Sequence, residues 1–227
     1  MASTASSTGE TTWCPKVIIF DLLTALLDSW TLWNASTPSG TEEEGRLWRA
    51  RYLEITFGQG PYVSYETLVS RAATEVGIAS SAPETLLRNW SSLKAWPEVF
   101  DVLQRLKAQG FKLGVVTNCS KKLGNLAAIQ AATCSETGEQ VAFDAVVTAE
   151  ESGFYKPVKQ AYDAILEAMG VSADEALFVA GSAGDVQGAT NASMRVVWHN
   201  KVGLAAKGDA VPLRESRTLD DALRGFI

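Results

Sequence analysis

The chain has 227 residues, 46% hydrophobic and 20% charged, with a formal net charge of −6 at pH 7. That length supports one sizeable core, or a core with a smaller insert, and the composition is that of a globular protein rather than a disordered or fibrous one. The acidic balance argues against a general affinity for nucleic acid or for an anionic membrane, and leaves room for a small anion held by a few local cations.

The first sixteen residues, MASTASSTGETTWCPK, are mostly small and polar and lack the apolar stretch of a secretory signal. They are expected to form a flexible tail over 1–16, and no later stretch reaches the roughly 18 apolar residues of a membrane span. The three cysteines, Cys14, Cys119 and Cys134, are odd in number and lack metal-ligand spacing, so neither a disulfide framework nor a zinc site is expected and a reducing, cytoplasmic setting is. His199 is the only histidine, which rules out a hydrolase built on paired zinc-binding histidines.

The first strong element is Val17-Ile18-Ile19-Phe20, an apolar, β-branched run that suits a strand buried on both faces and ends at Asp21. Residues 29–95 then show helical patterns at 42–55, 64–76 and 83–90 with no convincing strand, and are expected to form a helical cap hinged near 28–30 and 95–97. A helix over 97–109 aligns Val99, Val102, Leu103 and Leu106 on one stripe and stops at Gly110. Strand-like runs follow at 112–117, 145–148, 176–180 and 195–198, separated by helix-period segments at 121–132, 157–169 and 185–193. Alternation of this kind predicts an α/β core, over 17–28 and 96–227, with a parallel sheet covered on both faces. Ligands of such sheets bind at the carboxyl ends of the strands, so Asp21, Thr117 with Asn118, and the 181–185 stretch should converge on one rim.

A carboxylate at a strand end, as at Asp21, can attack an electrophilic carbon or phosphorus and form a covalent intermediate; the plainer role is a turn or helix-capping aspartate. FDLLTALLDS, VVTN, YKP and FVAGSAGD follow one another along the chain. Together they resemble the four motifs of the haloacid dehalogenase (HAD) superfamily, over essentially the whole chain after residue 16. Within the insert, LWRARYLEITF resembles the corresponding stretch of the bacterial L-2-haloacid dehalogenases.

The resemblance implies an α/β fold with a HAD-like, Rossmann-type parallel sheet core and an inserted helical cap. It also implies a hydrolase with Asp21 as nucleophile, Lys156 keeping Asp21 ionised, and Asp185 orienting Lys156 and the hydrolytic water. Arg49 matches the cap arginine that holds a substrate carboxylate or a departing halide, for which a guanidinium offers several donors in a fixed fork. Thr117, Asn118, Tyr162 and Ser182 are expected beside the substrate, and the N–H groups of Leu22 and Leu23 at an oxyanion. Arg49 also reads as a solvated helix charge, Tyr162 as a core tyrosine, and Thr117 and Asn118 as helix caps.

Where phosphatases of the superfamily carry two further acids, this chain has Leu23 and Gly181, so no metal and no cofactor are expected. Dehalogenases carry a threonine four positions after the nucleophile, an aromatic residue two after it, and a serine, an asparagine and a tryptophan in the last motif. Here those places hold Ala25, Leu23, Ala180, Ser182 and Gly184, which predicts a roomier, less polar pocket and a larger carboxylate-bearing substrate than a short 2-haloacid. A magnesium-dependent phosphatase and a non-catalytic binding protein are the alternatives. The expected partner is a small organic acid, with no nucleic acid and no membrane; relatives dimerise, but no residue pattern here marks a homodimer interface.

Overall fold

The computed structural model describes residues 13–227. In chain order these form β1 (Val17–Phe20), α1 (Ser29–Ser36), α2 (Glu42–Gln59), α3 (Tyr65–Glu75), α4 (Ser81–Arg88), α5 (Val99–Ala108), β2 (Lys112–Thr117), α6 (Lys121–Ala131), β3 (Ala145–Thr148), α7 (Ala149–Ser152), α8 (Lys159–Met169), β4 (Ala176–Ala180), α9 (Ala183–Asn191), β5 (Arg195–His199), β6 (Arg214–Ser216) and α10 (Leu219–Ala222). The strands make one parallel sheet in the order β3-β2-β1-β4-β5-β6. Chain order leaves β1 toward β2 and β3, then returns to its other side for β4, so the switch point lies between β1 and β4.

The apolar runs are continuous because each strand is covered on both faces. Val17 and Ile19 face the side packed by Tyr162, Ile165 and Met169 of α8 and Val186 of α9. Ile18 and Phe20 face the opposite side, packed by Val99, Val102, Leu103 and Leu106 of α5 with Leu219 of α10. All four β1 side chains are buried, which anchors the loop that begins at Asp21.

The regular elements between β1 and α5 are all helices, as their periodicity predicts, with two differences. Helix α1 was not legible: SWTLWNAS is rich in aromatic, β-branched and small polar residues with low helix propensity. It forms because Asp28 caps it through Thr31 N at 3.1 Å and because Leu32 and Trp33 are buried. Helix α2 runs past the expected 55 to Gln59, which carries Phe57 on its last turn. The two connections to the sheet run side by side, with Asp28 N donating to Lys94 O at 2.8 Å and Trp96 N to Leu26 O at 3.0 Å.

Most of the expected tail, residues 1–12, lies outside the described residues. The remaining four residues are docked rather than flexible. Trp13 donates its indole N–H to Asp174 O at 2.8 Å, meets Phe226 edge-on and lies under the Arg195 guanidinium, while Lys16 pairs with Glu175. A tryptophan buries enough apolar area to hold a short polar segment down.

Helices α1 and α2 cross closely at Gly45. A Cβ there would lie 2.5 Å from Asn34 Cα and 2.7 Å from its N, against backbone that cannot rotate away. Gly45→Ala gains about 1 kcal/mol of helix propensity but incurs an overpacking cost of about 1–3 kcal/mol or more. We expect a net loss, read as a Tm lowered by roughly 2–4 °C per kcal/mol; a raised Tm would show that the crossing is looser than this.

Candidate active site

The rim at the switch point gathers side chains from four places. Asp21 follows β1, Lys156 precedes α8, Asp185 sits in the first turn of α9, and Arg49 comes from the middle of α2. All four are buried, with 7%, 1%, 3% and 3% of their surface exposed. Burial this deep of a charge is tolerated only with partners.

Lys156 Nζ lies 2.8 Å from Asp21 Oδ1 and 3.1 Å from Asp185 Oδ1. Asp21 Oδ2 accepts the N–H groups of Thr24 and Ala25, each at 3.2 Å. Burial pushes the Asp21 carboxyl up, but the Lys156 charge and hydrogen bond, joined by the two N–H groups, outweigh it and hold the carboxyl below its usual range. Asp185 goes the other way: burial raises it, the neighbouring Asp21 charge adds to the rise, and Lys156 offsets only part. Lys156 is itself disfavoured by burial, and its two carboxylates more than restore the charged form. Two carboxylates driven apart in this manner are suited to different roles, one held more firmly ionised and one more easily protonated.

Asp185 is held from three directions. Tyr162 donates its hydroxyl to Oδ1 at 3.1 Å, Ser182 its hydroxyl to Oδ2 at 3.3 Å, and the Asp185 N–H returns to Ser182 Oγ at 3.3 Å as the cap of α9. Tyr162 is fully buried against Phe178 and does not reach the cavity, so it positions Asp185 rather than touching a ligand. Asn118 does line the cavity, but its side-chain amide is committed to the protein. Its amide donates to Lys156 O at 3.0 Å and accepts from Lys156 N at 2.7 Å, clamping the backbone that carries the lysine. Thr117 lines the cavity, and its buried Oγ1 has no hydrogen-bond partner among the described residues.

Arg49 hydrogen-bonds Leu23 O at 3.4 Å, Thr24 Oγ1 at 3.1 Å and Ser29 Oγ, and its guanidinium lies 4.2 Å from the centre of the Trp30 ring. All three acceptors are neutral, and its Nε has none among the described residues. Burial pushes its pKa down to about 10, so it remains charged at neutral pH. The Leu22 and Leu23 N–H groups meet no protein acceptor among the described residues; the amides that actually grip the Asp21 carboxylate are those of Thr24 and Ala25. From below, His199 Nδ1 lies 2.7 Å from Ala25 O and supports the same loop.

Asp21, Arg49, Thr117, Lys156, Ser182 and Asp185 line one cavity of only about 30 Å³, roofed by Tyr52, Leu53 and Phe57 of α2. The expectation of a roomier pocket is therefore corrected. The place left by Gly184 is taken by the Phe57 ring, whose Cδ2 and Cζ would stand 2.9 Å from a Cβ at that glycine. Sequence reasoning missed Tyr52, Leu53 and Phe57. The signal was present: they follow Arg49 by three, four and eight residues, and so share its face of the helix.

The second glycine bears on metals. A Cβ at Gly181 would lie 2.6 Å from Asp21 Oδ2 and 2.8 Å from Thr24 C, so the backbone here is too close to Asp21 to carry a carboxylate between them. Among the described residues no group of three or more His, Cys, Asp or Glu is placed to hold a metal ion. The residues present do not fit the magnesium of the superfamily's phosphatases, and the Lys156 ammonium occupies the cationic position between the two aspartates.

Residues 18–199 match the family profile described as haloacid dehalogenase-like hydrolase. The chain belongs to that family. It is 30% identical over 219 residues to (S)-2-haloacid dehalogenase H-109 of Pseudomonas putida, covering 90% of this chain and 94% of that one. A phosphatase of Mycobacterium tuberculosis is 30% identical over 142 residues, covering 62% and 63%. In fold it is similar to the L-2-haloacid dehalogenase of Xanthobacter autotrophicus with chloropropionic acid covalently bound, at a TM-score of 0.75 and 20% identity over 93% of this chain and 99% of that one. This HAD-like hydrolase is thus related to 2-haloacid dehalogenases along most of its length.

Lys156→Met tests the buried triad. Removing the one cation between two buried carboxylates should cost about 3–5 kcal/mol. The pH dependence should also steepen, because in the wild type only Asp185 has a raised value, toward which stability rises as pH falls. In the wild type, Asp21 has a lowered folded value, so its stabilisation is present above the ordinary carboxylate range and is lost as pH falls through that lower value. In the variant both carboxyls titrate high, so stability should rise as pH falls toward them. Urea unfolding at neutral and mildly acid pH measures both, and an unchanged pH slope would contradict the assignment.

Proposed function

We propose that this hydrolase cleaves a carbon–halogen bond at C2 of a small organic acid, through an ester on Asp21 and without a metal. The observation that carries this reading is Arg49: a buried guanidinium whose acceptors are all neutral, lining the same cavity as an ionised carboxylate. A buried cation in that state favours an anionic ligand, and a substrate carboxylate or departing halide would supply one.

In the first step Asp21 Oδ1 attacks C2 from the side opposite the halogen. A C–O bond forms, the C–X bond breaks, the halide leaves with the bonding pair, and C2 inverts. In the second step Asp185 takes a proton from water, whose oxygen attacks Cγ of Asp21. Oδ2, held by the Thr24 and Ala25 N–H groups, carries the oxyanion charge. Collapse expels the 2-hydroxy acid alkoxide, which takes back the proton held by Asp185, while the hydroxyl now on Cγ gives its proton to solvent and Asp21 is regenerated ionised with one oxygen from water. Lys156 keeps Asp21 ionised for the first step, and the raised Asp185 suits the base of the second. The phosphatase relative favours phosphoryl transfer as a second reading, but the acids such a site needs are replaced by Leu23 and by Gly181, whose backbone presses on Asp21.

Three outcomes follow. Asp21→Asn, checked for deamidation, loses turnover of 2-chloropropanoate while keeping the wild-type fold. A single turnover in ¹⁸O-water places the label in Asp21 and not in the product; label in the first product molecule would mean direct attack by water. Exhaustive chelation leaves the rate unchanged, whereas a loss restored by magnesium would favour the phosphatase.

The pH dependence has a definite sign. Where ester hydrolysis limits kcat, the rate falls as pH drops through the raised Asp185 value, above the ordinary aspartate range near about 3.9. A kcat profile flat down to that range would remove Asp185 as the base.

A further inference from the structure

The catalytic cavity, at about 30 Å³, holds roughly one water's share of space. Even a two-carbon haloacid has five heavy atoms, so a substrate enters only if a wall moves. On the far side of one wall lies a second cavity of about 180 Å³, lined largely by apolar groups: Trp30, Ala50, Leu53, Gly184, Leu204 and Ala205. At bulk density that is the space of about six waters. Three residues line both cavities, Leu53, Phe57 and Ser182. Ser182 is fixed as the cap of α9, and Leu53 lies mid-helix. Phe57 is near the end of α2, is only half-buried, and rests its ring on Gly184, which has no side chain to lock it.

We propose that Phe57 is the movable partition between the two cavities and the specificity-determining residue of the site, and that the outer cavity receives the apolar tail of the organic acid. The proposal rests on the site assigned above. The carboxylate and C2 stay with Arg49 and Asp21, and displacement of the ring over Gly184 joins the cavities so that a hydrocarbon or aryl tail extends toward Leu204 and Ala205. The outer lining offers such a tail mostly carbon. Its charged members, Glu54 and Lys207, are exposed and stand where a tail would reach solvent.

The test uses unreactive straight-chain carboxylates from acetate to octanoate, titrated into the wild-type protein by calorimetry, so that its outcome does not depend on turnover. We expect affinity to rise about fourfold for each methylene beyond propanoate, the equivalent of the ~0.8 kcal/mol of a buried CH₂, and to level off once the cavity is full. Ala50→Trp and Ala205→Trp, at exposed rim positions, should flatten the series while leaving propanoate binding unchanged. Phe57→Ala should raise kcat/KM for 2-chlorooctanoate relative to 2-chloropropanoate by about tenfold or more. A flat wild-type series, or one that both tryptophan variants leave unaltered, overturns the proposal. If the binding series behaves as expected and no 2-haloacid is turned over, the tail site stands and the dehalogenation reading fails; turnover confined to the shortest acid with flat binding has the opposite meaning.

Discussion

A lysine ammonium with 1% of its surface exposed is the constraint around which the rim is arranged. Left unpaired, such a charge would cost several kcal/mol, and each aspartate buried beside it would cost as much. The three are tolerable only together, which ties the end of β1, the turn before α8 and the start of α9 to one point. Their supports follow from the same need. Asn118 grips the lysine backbone from the end of β2, Tyr162 and Ser182 hold Asp185, and the Thr24 and Ala25 amides hold Asp21. A parallel sheet serves this purpose because four successive strand ends, each rigid, open on the same edge.

The helical insert closes over that edge through polar tips on apolar bodies. Tyr52 donates to Asn118 O at 3.0 Å, Trp90 to Leu123 O at 2.9 Å, Tyr155 to Val63 O at 2.7 Å and Ser120 to Glu66 at 2.9 Å. Each is worth about 1 kcal/mol net, so the closure is a sum of modest bonds over a stack of rings from Trp33 and Trp48 through Tyr52 and Tyr65 to Trp90. Arg49 has a different part in it. It reaches from α2 to the Asp21 loop at Leu23 and Thr24 and to Ser29 at the start of α1, so the group assigned to hold the substrate anion also spans the join between insert and sheet.

Strands β1 to β5 were legible because each is a short apolar run, with Asp21 and Asn118 directly after two of them, whereas β6 is the polar Arg-Glu-Ser and was not. The helix bounds were legible wherever a stripe met a stop, as at Leu106 before Gly110 or Met169 before Gly170, whose φ of 67° suits the helix end. Helix α1 was not, since its residues form a helix only under burial. Roles at the rim were legible as far as residue type and spacing reach. That Asn118 faces the Lys156 backbone and Tyr162 faces Asp185 depends on side-chain direction, which one-dimensional spacing does not carry. That the amides reaching the Asp21 carboxylate are those of Thr24 and Ala25 has a similar reason: the turn after Asp21 folds them back onto it.

The two glycines of the last motif show why a lost side chain does not read directly as space. At Gly181 the missing Cβ is what lets the Asp21 loop approach, and the volume is filled by the Ala25 N–H and the Asp21 carboxylate. At Gly184 it is filled from the opposite side of the site by Phe57, a residue far away in sequence and on another helix. In both places a deletion on one element is answered by an approach from another, as dense packing requires. The two replies differ in kind. Backbone pressed against Asp21 is permanent and bars a carboxylate from that position, whereas a half-buried ring lying over a glycine retains rotamers of its own. The first glycine therefore limits which groups can stand beside Asp21, and the second leaves its space to a ring from another helix.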